Sequence, residues 1–186
     1  AGESVFIVCY FKADQKNDTI VLELRTDLSE EASTELSSEL SSELSEETDI
    51  LPLRFKKPWS VSFAASNKTI RRDTLFDWTD EQDHSIRYSS GKAVYANTFN
   101  WTDDRKMPVA YLRLGRVENI ALIKVHGVDC GTAWTAPYQV EVTAALRKGK
   151  NTLEIEIINT WANAIRGIDR GEPPFNGIWT NARYRL

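Results

Sequence analysis

The stretch from Val117 to Tyr138, continued by residues 139–143 and 151–159, restricts the chain to antiparallel β architecture. Between Ile120 and Val125 apolar side chains occupy both alternating registers, the pattern of a strand covered on both faces. A turn is expected at His126-Gly127, where a two-residue loop asks for positive φ that glycine accepts freely and histidine less readily than asparagine. Gly131 then marks a bulge or a close backbone approach. Val140 and Val142, and after them Leu153, Ile155 and Ile157, recur with period two on either side of Arg147-Lys-Gly-Lys-Asn151, a turn centred on Gly149.

Earlier segments add strands of the same kind. Residues 4–11 and 20–24 read as two strands of an N-terminal hairpin joined by a polar turn, and Trp59, Val61 and Phe63 share one face of another strand. A lone hairpin is marginal in water, so residues 1–26 are expected either to pack on the main body or to be the remnant of a preceding β domain. Further strands are expected over residues 86–99, broken at Gly91 and with Val94 facing away from Ala93 and Tyr95, over 107–115, and over 178–186. Eight or so short strands with no helix after residue 50 predict an antiparallel β-sandwich over residues 54–186.

Residues 27–53 differ in kind. The tandem Ser33-Thr-Glu-Leu36, Ser37-Ser-Glu-Leu40 and Ser41-Ser-Glu-Leu44 make an acidic low-complexity linker, which buries too little to offset its ordering entropy; a docking helix striped by Leu36, Leu40 and Leu44 is the alternative. Nine acidic groups fall in residues 27–49, leaving 18 acidic against 23 basic residues elsewhere. Those bases are too scattered for a nucleic-acid footprint. The longest apolar run is far short of the roughly 20 residues a membrane-spanning helix needs, and no basic-then-apolar signal peptide opens the chain. The start at Ala1-Gly2-Glu3 suggests a mature or excised piece.

Quoted in order, Trp59-Ser-Val-Ser-Phe63, Asp77-Trp78, Ile86-Arg-Tyr-Ser-Ser-Gly91 with Ala93-Val-Tyr95, Leu112-Arg-Leu-Gly115, Ala133-Trp-Thr-Ala-Pro-Tyr138 and Asn159-Thr-Trp161 resemble a known module. They resemble the C-terminal sugar-binding-like jelly roll of bacterial glycoside hydrolases, above all the α-L-rhamnosidase-related proteins of glycoside hydrolase family 106. The same topology is similar to the family 2 sugar-binding domain and the galactose-binding-like fold. The resemblance covers roughly residues 58–165 and implies a jelly-roll accessory domain whose parent carries its catalytic carboxylates in a separate upstream domain. It also implies a secreted or periplasmic bacterial protein, with carbohydrate and the other domains of the parent hydrolase as partners and neither nucleic acid nor membrane among them. The chain departs from the family at His126, where Asn is usual, and after Trp161, where Asn163-Ala-Ile-Arg-Gly-Ile-Asp169 replaces Asn-Arg-Leu-Ile-Gly-Asp, so no role of that family arginine carries over.

The residue chemistry points to binding before catalysis. A glycosidase needs two carboxyls flanking one bond, whereas Asp77, Asp80, Glu81 and Asp83, like Asp103 and Asp104, cluster in loops where acids commonly form turns. Asp77, Asp80 and Asp83 are weak candidates for a structural calcium site; they lack EF-hand spacing, and no other cofactor is expected. His84 and His126 accompany no nucleophile-elbow motif, so no catalytic residue is assigned. Cys9 and Cys130 fit either a bridge between strands or the small buried apolar role of isolated cysteines.

Six tryptophans favour sugar binding, because a flat aromatic face covers the apolar face of a pyranose. Trp59 and Trp161 are expected in the core. Trp134 with Tyr138, stiffened by Pro137, is the first sugar-binding candidate, followed by Trp78, Trp101 and Trp179 near loops. Three functions compete: a non-catalytic accessory domain of a glycoside hydrolase, a free-standing carbohydrate-binding module, or part of an active rhamnosidase-like hydrolase.

Overall fold

The computed structural model describes residues 20–25, 48–102, 109–115, 117 and 119–172. The expected strands over residues 4–11 and 178–186, the leucine repeat, Cys9, Asp103, Asp104 and Trp179 lie outside them.

Among the described residues ten strands form two antiparallel sheets. A four-stranded sheet runs β2 (Thr48–Pro52), β1 (Val21–Arg25), β6 (Val109–Arg113), β9 (Gln139–Glu141). A six-stranded sheet runs β4 (Lys68–Arg72), β3 (Trp59–Phe63), β5 (Lys92–Trp101), β10 (Gly149–Ile158), β7 (Ile120–Val125), β8 (Val128–Ala133). Period-two alternation sends Trp59, Val61, Phe63, Tyr95, Ile123, Leu153 and Ile155 from the larger sheet against Leu22, Leu24, Leu112 and Val140 from the smaller. The expected sandwich is therefore the fold.

Chain order and sheet order interleave. β7 and β8 form the expected hairpin, turned by His126 at φ 54° and Gly127 at φ 76°. Its register slips between Ile123 and Lys124, so that Ile123 pairs with Gly131 (φ 108°), Lys124 pairs with Asp129, and Cys130 is the extra bulge residue. Cys130 is half-buried and unbridged, and burial pushes its thiol pKa up. β9 then crosses to the smaller sheet beside β6, and β10 returns to lie between β5 and β7. β1 sits between β2 and β6, so residues 21–25 are built into the sandwich itself, and β2 is formed by residues assigned to the linker.

Two buried asparagines seal the ends of β10. The Asn151 amide nitrogen donates to the Arg147 and Gly149 carbonyls, and its oxygen accepts from the Arg147 N–H, which closes the glycine turn. The same oxygen lies 3.0 Å from His126 Nε2, tying this turn to the β7–β8 turn. At the far end Asn159 accepts from the Gly91 N–H and donates to the Ser89 carbonyl, anchoring the entry to β5. Satisfying polar backbone ends this way lets them stay dry.

Four expectations need correction. Residues 84–87 form a helical turn, α1 (His84–Arg87), because Asp83 caps it through the Ser85 N–H; buried Ile86 and Tyr88 mimicked a strand by their spacing. A real helix, α2 (Ala162–Asp169), follows β10; it is only eight residues long and buries Asn163, Ala164 and Gly167, a polar and two small residues. Trp161, expected in the core, opens this helix at 75% exposure. The outer face of β7 is only half covered, with Ile120 39% exposed and Leu122 half-buried.

Trp78 is the largest fully buried side chain, sitting edge-on to Phe63 at 5.1 Å between centroids and donating its indole N–H to the Tyr95 hydroxyl. Burial pushes the Tyr95 phenol pKa upward, so it remains a neutral partner. Trp78→Ala is expected to lower unfolding free energy by about 3–5 kcal/mol through cavity formation. Tyr95→Phe, which strands the indole donor, should cost about 1–3 kcal/mol. Urea titration followed by fluorescence and circular dichroism checks both; a neutral Tyr95→Phe would show that the indole bond carries little weight.

Candidate functional site

The chain passes from the small sheet to the large one through residues 53–58, and this crossing forms one wall of a groove of about 840 Å³. Phe55 fixes the crossing. Its ring packs on Trp59 at 4.6 Å and on Phe99 at 6.2 Å, and its backbone bridges to Phe99. Asn97 turns its amide inward to bond the Lys57 carbonyl at 3.0 Å, holding the next residue pair in place. The opposite wall is the end of β5, where Trp101 lies across from Gly149 of β10.

Trp101 is half-buried, packed on one side against the core and lining the groove with Asn100 and Thr102. Around it stand Arg54, Lys56, Lys57 and Lys150, and among the described residues no carboxylate lines the groove. The arrangement offers an aromatic surface, amide and hydroxyl groups for hydrogen bonding, and positive charge. This is the equipment for a polar ring compound, and it favours one bearing negative charge.

Trp78, Trp134 and Tyr138 lie elsewhere. Trp78 is enclosed in the core, so it offers no face to a ligand; its place near a loop in sequence concealed a 3-10 turn (Trp78–Asp80) that folds the ring inward. Trp134 is 70% exposed at the end of β8, opposite the groove, while Tyr138 is half-buried against the core with its carbonyl bonded to the Leu114 N–H. The structure therefore does not join Trp134 and Tyr138 into one platform. Trp134 instead shares its end of the sheet with Ile120 and Trp161, since Ala133 pairs with Ala121 and Ile120 pairs with Ile158.

The three aspartates proposed for calcium have separate tasks. Asp77 accepts from the Thr79 N–H and hydroxyl, capping the 3-10 turn. Asp83 accepts from the Ser85 N–H and hydroxyl and from the Lys68 ammonium, while Asp80 is exposed. Among the described residues no group of three His, Cys, Asp or Glu side chains is gathered to hold a metal ion. The lysines of the groove were the signal that sequence reading passed over, because Lys56, Lys57 and Lys150 come together only across the sandwich.

Two antiparallel sheets closed over one core, with aromatic and polar groups at the strand ends, define a galactose-binding-like β-sandwich. The chain belongs to the glycosyl hydrolase 2 galactose-binding domain-like family, whose pattern matches residues 47–182. Over 124 residues it is 32% identical to a provisionally named beta-glucuronidase of Formosa agariphila, a match that takes in 64% of this chain and 11% of that protein. Its fold is similar to that of a rhamnosidase from Novosphingobium sp. PP1Y, with a TM-score of 0.59 and 31% identity, over 75% of this chain and 16% of the rhamnosidase. The chain thus spans only a small fraction of either relative.

The Lys68 contact, then that from Ser85, lowers the Asp83 pKa to about 2. A carboxylate depressed on folding stabilises the protein above its unfolded pKa, and this is lost as pH falls from about 4 toward 2. Asp83→Asn keeps a capping oxygen and removes the charge. The wild type should therefore melt slightly above the variant at pH 6, by no more than the ~1 kcal/mol of a solvent-exposed pair, and the gap should close by about pH 2. Scanning calorimetry across that range checks it; a gap that persists at pH 2 removes the charge explanation.

Proposed function

We propose that this chain is a non-catalytic accessory domain of a larger bacterial glycoside hydrolase, and that it touches glycan through the Trp101 groove. The observation that carries the reading is the groove itself: a half-exposed indole flanked by Asn100, Thr102 and four cations, on a fold whose relatives are segments of far larger proteins. The relatives' names, a rhamnosidase and a beta-glucuronidase, support a parent that cleaves glycosidic bonds, and family 106 with a C-terminal placement is the parent we favour. Such a parent acts on polysaccharide outside the cytoplasm, secreted or periplasmic. The reading needs no cofactor, metal, nucleic acid or membrane, and it leaves the catalytic carboxylates to another domain.

A bracing role is favoured by a different observation. Ile120, Trp134 and Trp161 expose three large apolar side chains at the end of the six-stranded sheet away from Trp101. Grouped surface of this kind suits contact with a neighbouring domain of the parent. A free-standing binding module has no need of it.

Retention of the chain on immobilised acidic and neutral polysaccharides separates these readings. Trp101→Ala is expected to weaken retention by about tenfold or more, equivalent to about 1.4 kcal/mol. Trp134→Ala should leave it unchanged. Loss of retention in Trp134→Ala with none in Trp101→Ala would move the sugar site to the opposite end, and absence of retention on every polysaccharide would leave the bracing role alone.

A further inference from the structure

Beside α2 lies a second cavity, of about 210 Å³, that shares no lining residue with the Trp101 groove. Thr79 comes from the 3-10 turn, Arg87 and Tyr88 from the end of α1, and Asn163, Arg166 and Arg170 from α2 and the residue after it. The three α2 positions are spaced i, i+3, i+7, which places them on one side of the helix. The helix is held at its start by the Ser90 hydroxyl, which accepts from the Ala164 N–H at 2.9 Å.

Two features of this cavity demand a ligand of one kind. Three guanidinium groups line it, and among the described residues no carboxylate does. Arg87 directs its Nε to the Glu81 carbonyl at 2.7 Å, and Arg170 reaches the Tyr88 hydroxyl at 3.4 Å. That hydroxyl, and after it the nearby Glu172 and Asp169, hold the Arg170 pKa above its ordinary value; Glu172 is itself paired with His84 at 2.9 Å. No side-chain carboxylate pairs with Arg166 among the described residues, and residues 173–186 contain neither Asp nor Glu.

The second feature is Asn163. Its side chain is 1% exposed, and neither its amide nitrogen nor its oxygen has a hydrogen-bond partner. Buried amides are almost always satisfied, and this one sits in the cavity wall beside the guanidiniums. A ligand that accepts from arginine and also exchanges hydrogen bonds with an amide meets both demands: an oxyanion attached to a hydroxylated body.

We propose that this cavity binds the carboxylate or sulfate group of an acidic saccharide, with Arg87 and Arg166 taking the oxyanion and Asn163 an adjoining oxygen. The guanidinium fork matches the paired oxygens of either group. The volume lies below the roughly 300–1,000 Å³ of sites for drug-sized molecules, which suits one charged sugar unit. The saccharide body rests on the reading of the domain as glycan-contacting; the oxyanion rests on the cavity alone.

The test is a nuclear magnetic resonance titration of the intact chain, with the Asn163 side-chain amide as reporter. The four probes are methyl glucuronide, galactose 6-sulfate, methyl glucoside and inorganic sulfate. Saturable shifts of the Asn163 amide with one or both charged sugars, and none with methyl glucoside, are expected. The preferred charged sugar tells carboxylate from sulfate. Arg166→Gln should weaken that binding by about tenfold, through loss of a charge-assisted fork, and Arg166→Lys by less. Both variants must keep the wild-type amide spectrum away from the cavity. Inorganic sulfate binding as tightly as the charged sugars overturns the saccharide assignment, and an Asn163 amide unmoved by all four probes, or equal shifts in Arg166→Gln, overturns the site. Neutral polysaccharide retained through Trp101 in that event shows that the accessory reading survives without it.

Discussion

The ten-residue antiparallel register between β5 and β10 is the constraint from which the placement of everything else follows. Both strands send one row of side chains into the core, so a slip of one residue would exchange Tyr95, Leu153 and Ile155 for their polar neighbours. Asn151 and Asn159 stop that slip from either end by bonding backbone that the ladder leaves unpaired. With the register set, Trp101 must lie opposite Gly149 at one end, and α2 must begin beside Ser90 at the other. The groove and the arginine cavity are consequences of one strand pair having two ends.

Charge divides in the same way. Nine acidic groups are concentrated in residues 27–49, which leaves 18 acidic against 23 basic residues in the rest of the chain. Arg72 and Glu81 form a three-bond pair, and Lys92 and Glu156 pair at 2.7 Å. The cations that line the two cavities face no lining carboxylate. Positive charge is thus gathered in two concave places, where low-dielectric walls make it more effective than on open surface.

The strands were legible in sequence wherever apolar residues alternate cleanly, as in Trp59 to Phe63 and Leu153 to Ile157, or run together, as in Ile120 to Val125, although that run did not show that one face of β7 is only half covered. The His126-Gly127 turn, the Gly131 bulge and the Gly149 turn were legible because positive φ narrows the choice of residue. α1 and α2 were not, since a capped four-residue turn has too few residues for a period, and an eight-residue helix that buries Asn163 and Gly167 is short and carries a polar residue on its inward side. Among the aromatic candidates, Trp101 ends β5 half-buried, while Trp78 and Trp161 exchange the places their neighbours suggested, one sinking into the core and the other emerging from it. Distance along the chain hides both cavities: Lys57 and Lys150, or Arg87 and Arg166, meet only after the strands have paired.

Among the described residues the six-stranded sheet ends in two edges of different character. β4 presents Lys68, Arg71 and Arg72 along a largely exposed strand, and β8 is bent by its Cys130 bulge. An edge that is charged or kinked resists a further strand. An unpaired strand approaching from outside meets charge at one edge and a kink at the other, so contact with other proteins is left to side chains and not to an extension of the sheet.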